Sequence, residues 1–110
     1  MKKIAYINQK IKNFNSKIYV PGDKSLSIRW ILMASQAVGT SIAYNMLKSE
    51  DALSALNAVK KLGINYKINK ENCKIYGKGL SGFSFKNNTI INAGNSGTLA
   101  RLIFGLLVKS

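Results

Sequence analysis

The sequence predicts an α/β domain in which short strands alternate with helices. Apolar residues follow helical spacing over residues 26–38 and again over residues 50–62. The segments between and around these helices are short and apolar, and Gly, Asn or Ser bounds them, which is typical of strands. A length of 110 residues allows one domain at most, and an apolar fraction of 46% indicates a globular core.

The first third of the chain predicts two strands and a helix. Residues 3–7 and 17–20 have strand character and are separated by a polar turn. A proline then stops the second strand, and Gly22 beside it is free to adopt a positive φ. The helix is predicted over residues 26–38. It is apolar nearly all round, which predicts burial on most faces, and Gly39 supplies its C-terminal stop.

A third strand and a second helix follow. The strand is predicted over residues 41–46. Ser49 is expected to cap the helix N-terminus, because Glu50 and Asp51 then complement the helix dipole in its first turn. Gly63 ends this helix. Lys60 and Lys61 are expected to face solvent, and the residues expected to face the core are Leu53, Leu56, Val59 and Leu62.

Three further strands and a helix complete the pattern. Strands are predicted at 64–68 and 73–76, joined by a polar turn, and another at 89–92. The last helix begins near Thr98, with apolar residues at Leu99, Leu102, Ile103, Leu106 and Leu107. The order from residue 17 to residue 76 is therefore β-α-β-α-β-β, followed by the start of a similar β-α step. This restart predicts a repeat that continues beyond residue 110, so we expect the chain to be a fragment.

The net charge of +13 raises the possibility of nucleic-acid binding. Apart from Lys24, thirteen lysines are scattered through residues 2–86 with no run longer than two, so a solvated surface explains them more simply. We expect no nucleic-acid partner. A basic nucleic-acid-binding module stays open as an alternative. Filter binding with random RNA would distinguish such a module from a small-molecule enzyme.

The remaining composition excludes other classes of site. Cys73 is the single cysteine and histidine is missing, which rules out an intramolecular disulfide and a Cys/His zinc site. Cys73 falls on a predicted strand and is expected to be a small buried side chain. The apolar runs are too short to span a bilayer and no export signal follows the N-terminal lysines, so we expect a cytoplasmic protein without a membrane partner.

Two ten-residue stretches, residues 20–29 and 92–101, place small residues and hydroxyls directly before apolar helices. They end in Arg29 and Arg101, the only arginines among 17 basic residues. An arginine fork binds phosphate or carboxylate in a bidentate manner, and free N–H groups at a helix N-terminus attract anions. Together the two motifs predict a receptor for a multiply anionic small molecule.

A purely structural interpretation of each motif remains open. In the first motif, Ser25 would then cap the helix and Arg29 would pair with Asp51 or face solvent. In the second motif, the glycines would form a turn and Thr98 would be the cap. Neither motif is a Walker or dinucleotide-binding pattern.

The residues Pro-Gly-Asp-Lys-Ser-Leu-Ser-Ile-Arg at 21–29 and Gly-Asn-Ser-Gly-Thr-Leu-Ala-Arg-Leu at 94–102 resemble the two N-terminal signatures of the 5-enolpyruvylshikimate-3-phosphate (EPSP) synthase family. Ser-Glu-Asp at 49–51 and Lys-Leu-Gly at 61–63 also resemble family segments, so the likeness runs from about residue 17 to residue 107. Ile28 departs from the family, where histidine is common at this position.

The resemblance implies an activity and a set of ligand contacts. The family transfers the enolpyruvyl group of phosphoenolpyruvate to the 5-hydroxyl of shikimate 3-phosphate, on the pathway to chorismate and aromatic amino acids, and uses no cofactor and no metal. Lys24, Ser25 and Arg29 would bind shikimate 3-phosphate. Phosphoenolpyruvate would be bound by Lys24, Gly97, Asn95 and Thr98.

The resemblance also implies an architecture of repeated β-α-β-α-β-β units, which form an inside-out α/β barrel that is truncated in this chain. Residues 1–20 would belong to the other domain of the full enzyme, and residues 21–110 would be the first part of the substrate-binding domain. The full-length enzyme is expected to be a monomer.

No catalytic acid or base is expected in this chain. Its four carboxylates are Asp23, Glu50, Asp51 and Glu71, and none lies in a motif that resembles the family's catalytic acids. We therefore expect no transferase activity from the chain alone. A sister enzyme that acts on UDP-N-acetylglucosamine remains an alternative, although it typically carries Lys-Asn where this chain has Lys24 and Ser25.

Overall fold

A computed structural model describes residues 2–108. It contains three helices and three strands in the order α1 Lys24–Gln36, β1 Val38–Tyr44, α2 Glu50–Lys61, β2 Asn65–Ile68, β3 Asn72–Lys78 and α3 Gly97–Leu107. From α1 to β3 this is the predicted α-β-α-β-β order.

The three strands form one antiparallel sheet with β3 at its centre, in the order β1-β3-β2. The β2–β3 connection is tight because the Asn69 side-chain oxygen accepts hydrogen bonds from the backbone N–H groups of Glu71 and Asn72, at 2.9 and 2.8 Å. Asparagine favours such turns because its short side chain can accept a hydrogen bond from the backbone N–H two residues further along the chain. The predicted polar turn is confirmed.

The core lies between the sheet and the helices. Cys73 and Ile75 point from β3 toward α1, and both are fully buried. Their neighbours in the core come from all three helices and the turn after α2, and include Ile28, Ile31, Leu56, Val59, Leu62, Ile64, Leu99 and Ile103. The predicted burial of Cys73 on a strand is confirmed.

Helix α2 matches its prediction closely. Ser49 caps its N-terminus by accepting a hydrogen bond from the Ala52 N–H at 3.2 Å, and Gly63 follows its end with a φ of +90°. Lys60 and Lys61 are exposed, as expected. Leu53 was wrongly assigned to the core, since 43% of it is exposed, and alanines occupy much of the buried face instead.

The boundaries of α1 and β1 differ from the predictions. The helix begins two residues earlier and ends before Ala37, which is its extended C-cap. Gly39 therefore does not stop the helix; it lies in β1 with a φ of +97°. Most faces of α1 are buried or half-buried, as predicted, and the exposed stripe carries Leu26 and Met33, which are 62% and 73% exposed.

Three predicted strands are missing from the described residues. Residues 3–7, 17–20 and 89–92 have no strand assignment. A strand requires a neighbour that pairs with its backbone N–H and C=O groups, and within residues 2–108 the pairs recorded join only β1, β2 and β3. Short apolar segments predicted the strands, but pairing decides whether they form.

Candidate functional site

The first motif forms the N-terminal turn of α1. Asp23 caps the helix, because its Oδ1 accepts a hydrogen bond from the Leu26 N–H at 2.7 Å. The structural interpretation that made Ser25 the cap is therefore wrong. Lys24 is exposed and Ser25 half-buried, both in the first turn of the helix. Both residues thus lie beside the backbone N–H groups at a positive dipole end.

An ion pair joins this turn to α2. The Lys24 Nζ lies 3.2 Å from the Asp51 Oδ2, and the side chains are 53% and 15% exposed. Among the described residues this is the only ion pair recorded, so the suggested pairing of Arg29 with Asp51 is wrong. The ammonium group has three N–H donors. One donor bonded to Asp51 leaves two for another anion.

The second motif forms a turn before α3. Gly94 has a φ of +57°, and its N–H donates to the Asn92 side chain at 2.8 Å. Ser96 is buried and caps α3 by accepting from the Leu99 N–H at 3.0 Å, so the suggested Thr98 cap is wrong. Asn95 is exposed and Thr98 half-buried. The helix itself begins at Gly97, as the motif predicted within one residue.

Helix α2 brings the two motifs together. A Cβ added at Gly94 would lie 3.0 Å from the Ser54 Oγ. Ser54 stands three residues after Asp51, and residues three apart share a helix face. The same side of the first turns of α2 therefore contacts Lys24 of the first motif and Gly94 of the second. Helices α1 and α3 also contact each other directly.

The two arginines are exposed and differ in their surroundings. Arg29 lines a groove between α1 and α3 whose other walls are Leu32, Met33, Leu102 and Leu106. Arg101 folds back along α3, because its Nη2 lies 3.0 Å from the position a Cβ would take at Gly97. A guanidinium group therefore lies over the first turn of the helix that the second motif opens.

Sequence reasoning missed the role of Gly22. It does not have a positive φ, so the expected reason for glycine here is wrong. A Cβ at Gly22 would instead lie 2.3 Å from the Asn45 carbonyl oxygen and 2.7 Å from the Leu47 N. The Leu47 N–H also donates to the buried Ser27 hydroxyl at 3.1 Å. Only a glycine allows the turn before Lys24 to pack this closely on the loop after β1.

The polar side chains offer few groups for proton transfer. Asp23 is engaged in capping and Asp51 in the ion pair. Burial raises the pKa of the Cys73 thiol, and this effect exceeds the lowering by nearby Lys48. Within residues 2–108 no three His, Cys, Asp or Glu side chains cluster as metal ligands would. No helix in the described part of the chain is long and apolar enough to cross a membrane.

Comparison with known proteins shows which family this chain resembles. Residues 8–110 match the family model for EPSP synthase (3-phosphoshikimate 1-carboxyvinyltransferase). Proteins named 3-phosphoshikimate 1-carboxyvinyltransferase from Syntrophomonas wolfei and Alkaliphilus metalliredigens are 40% and 42% identical over 101 residues. These alignments cover 92% of this chain and 23% and 24% of the relatives.

A solved structure shares the fold. The EPSP synthase from Acinetobacter baumannii superimposes with a TM-score of 0.75 at 38% identity, covering 84% of this chain and 21% of that chain. The mixed α/β architecture predicted from the sequence is confirmed by this likeness. Because the family model spans most of the residues and the same region matches in structure, the chain belongs to the EPSP synthase family.

Proposed function

We propose that this chain supplies part of an enzyme that transfers the enolpyruvyl group of phosphoenolpyruvate to the 5-hydroxyl of shikimate 3-phosphate. In this reaction a carbon–oxygen bond forms to the hydroxyl and inorganic phosphate leaves. The main support is that Lys24 and Gly94 contact the same end of α2, at Asp51 and Ser54. The two anion-binding motifs are thereby held side by side in a chain of the matching family.

Lys24, Ser25 and Arg29 bind shikimate 3-phosphate in this proposal. Lys24 and Ser25 lie in the first turn of α1, beside its free N–H groups, and Arg29 lies one helical turn after Ser25. The Asp51 carboxylate fixes the position of the Lys24 ammonium group, whose other N–H donors remain for substrate. Lys24 also contacts phosphoenolpyruvate.

Gly97, Asn95 and Thr98 form part of the phosphoenolpyruvate site. Gly97 opens α3 without a side chain, and Arg101 lies over this turn. An anion placed there meets backbone N–H groups and a guanidinium group together, which is the arrangement that stabilises phosphate and carboxylate charge. The comparisons favour this substrate pair over the UDP-N-acetylglucosamine alternative.

The division into domains follows the same proposal. Residues 21–110 belong to the substrate-binding domain, and residues 1–20 to the other domain of the full-length, monomeric, cytoplasmic enzyme. In support, residues 2–20 are exposed throughout and α1 is the first regular element of the described chain. The exposed apolar side chains of this segment include Ile4, Tyr6, Ile7, Ile11, Phe14 and Ile18.

The assignment of Lys24 is tested in a full-length enzyme, because the chain spans about a quarter of its relatives. Residues 8–110 replace the matching region of the Acinetobacter baumannii enzyme. In this chimera Lys24→Met should lower turnover at least about a hundredfold, as loss of one charge-stabilising donor does. Lys67→Met, which changes an exposed lysine on β2, is the matched control. Near-normal turnover of Lys24→Met would refute the proposal.

The assignment of Gly97 is tested separately by calorimetry on the same chimera. Gly97→Ala places a methyl group 3.0 Å from the Arg101 guanidinium. Phosphoenolpyruvate should therefore bind more weakly, while shikimate 3-phosphate is affected much less. Gly105→Ala is the control, because a Cβ there meets nothing within 4 Å. Equal losses for both ligands would contradict the placement of the phosphoenolpyruvate site.

A further inference from the structure

The face of the sheet that points away from the helices has an unusual set of side chains. Alternate residues of β3 point to opposite faces, and Cys73 and Ile75 point inward to the core. On the opposite, outer sheet face lie Tyr44 of β1, Lys67 of β2, and Lys74, Tyr76 and Lys78 of β3. The register places five uncharged residues on the same face: Val38, Thr40, Ile42, Asn65 and Asn72. The helices that carry both substrate motifs lie on the inner face.

The outer sheet face is positively charged and carries no acidic side chain from its own strands. None of the three strands contains Asp or Glu. Lys67 of β2 lies directly opposite Lys74 of β3 in the register. Like charges directly opposite across two strands repel and destabilise the pair. An anion bound between these two ammonium groups would relieve that repulsion.

Exposed aromatic rings stand beside the lysines. Tyr44 is 71% exposed and Tyr76 is 39% exposed. Tyr76 is two residues from Lys74 and two from Lys78 on the same face of β3, and Tyr44 pairs with Asn72 near the other end of the strand. Tyr76 lies four residues along β3 from Asn72, and Tyr44 lies on the neighbouring strand, so the two tyrosines are about 14 Å apart. Cations thus lie between two rings on which planar bases can stack.

We propose that the outer sheet face binds single-stranded nucleic acid. Such ligands are recognised by cations that track the phosphates and by aromatic rings that stack on the bases, without a need for sequence readout. The sequence argued against a nucleic-acid partner because its lysines are scattered along the chain. The fold brings lysines from two strands together, so distance along the sequence is a poor guide to their clustering. This binding is independent of the enolpyruvyl transfer proposed above.

The test measures fluorescence anisotropy of a labelled oligouridylate of about ten nucleotides, a length within the span of one binding surface. The variant Lys67→Gln/Lys74→Gln/Lys78→Gln removes the cations, and Tyr76→Ala removes one ring. The control Lys3→Gln/Lys10→Gln/Lys12→Gln removes the same three charges from exposed positions outside the sheet. Circular dichroism checks that each variant remains folded.

In the sheet triple variant, the negative slope of log K against log salt should become less steep by about 2. Each single-strand phosphate contact contributes about 0.7 to this slope, and the variant removes three cations. Tyr76→Ala should weaken binding about tenfold, and the control should retain most of the affinity. No binding by the parent chain would overturn the proposal. It would also be overturned if the control lost as much affinity as the sheet variant, or if inorganic polyphosphate bound equally well and Tyr76→Ala had no effect.

Discussion

Replacing Gly22 with alanine should destabilise the fold more than any other substitution that adds one methyl group near the first motif. The added Cβ would lie 2.3 Å from the Asn45 carbonyl oxygen, which is 0.7 Å inside the 3.0 Å limit that real Cβ contacts respect. It would also lie 2.7 Å from the Leu47 N. Both neighbours are backbone atoms, so no side chain can rotate away and the two loops must separate.

The expected loss in the free energy of unfolding follows from the packing and the hydrogen bonds that this separation disrupts. Overpacking against a rigid neighbour costs typically about 1–3 kcal/mol. The Leu47 N–H···Ser27 Oγ bond and the Asn45 Nδ2–H···Val20 O bond, at 3.1 and 3.0 Å, cross the same contact. Each contributes about 1 kcal/mol. We therefore expect Gly22→Ala to lower the free energy of unfolding by about 3 kcal/mol.

Urea unfolding followed by far-UV circular dichroism measures this loss as a lower midpoint at an unchanged slope. Gly105→Ala is the matched control, because it lies within α3 and a Cβ there meets nothing within 4 Å. Alanine is a better helix former than glycine, so this control should gain up to about 1 kcal/mol. A loss below about 1 kcal/mol for Gly22→Ala would refute the argument from close backbone approach.

Three further outcomes are expected from the chain itself. Asp23→Ala should lower the free energy of unfolding by about 1 kcal/mol, because the cap on the Leu26 N–H is lost, whereas Asp23→Asn should cost much less; equal losses in urea titrations would contradict the capping role. Lys24→Met should change the free energy of unfolding by less than about 1 kcal/mol, because the lysine side of the ion pair is half exposed. A larger loss in the same titration would contradict this and give Lys24 a structural role. Burial raises the pKa of Cys73 in the folded chain, so the thiol of the unfolded chain ionises at a lower pH. The free energy of unfolding should therefore fall as pH rises above about 8.5, and Cys73→Ala should abolish this fall.

The sequence predicted those parts of the fold that depend on local signals. Ser49 with two acidic residues behind it marked the start of α2, and Gly63 marked its end; both are confirmed. The turn at residues 69–72 and the strands on each side followed from composition in the same way. These features form through contacts between residues a few positions apart, so a single sequence contains the information.

Features that depend on distant partners were predicted poorly. The apolar segments 3–7, 17–20 and 89–92 have strand composition, yet no strand pairs with them in the described chain. The tight packing of Gly22 against Asn45 and Leu47 joins residues more than twenty positions apart. The pairing of Lys24 with Asp51 likewise depends on how α1 packs on α2, so the sequence could suggest Arg29 as a partner of Asp51 but not identify Lys24.

The arrangement of the candidate site depends on how close the helices approach. Helix α2 contacts one motif through Asp51 and the other through Ser54, so any shift of α2 moves both contacts together. Its buried face carries Ala52, Ala55 and Ala58 at intervals of three residues. Small buried side chains let helices approach closely, and larger ones force backbone movement in a close-packed core. The alanines on the buried face of α2 therefore let α1 pack closely on α2, and this close packing brings Lys24 within reach of Asp51.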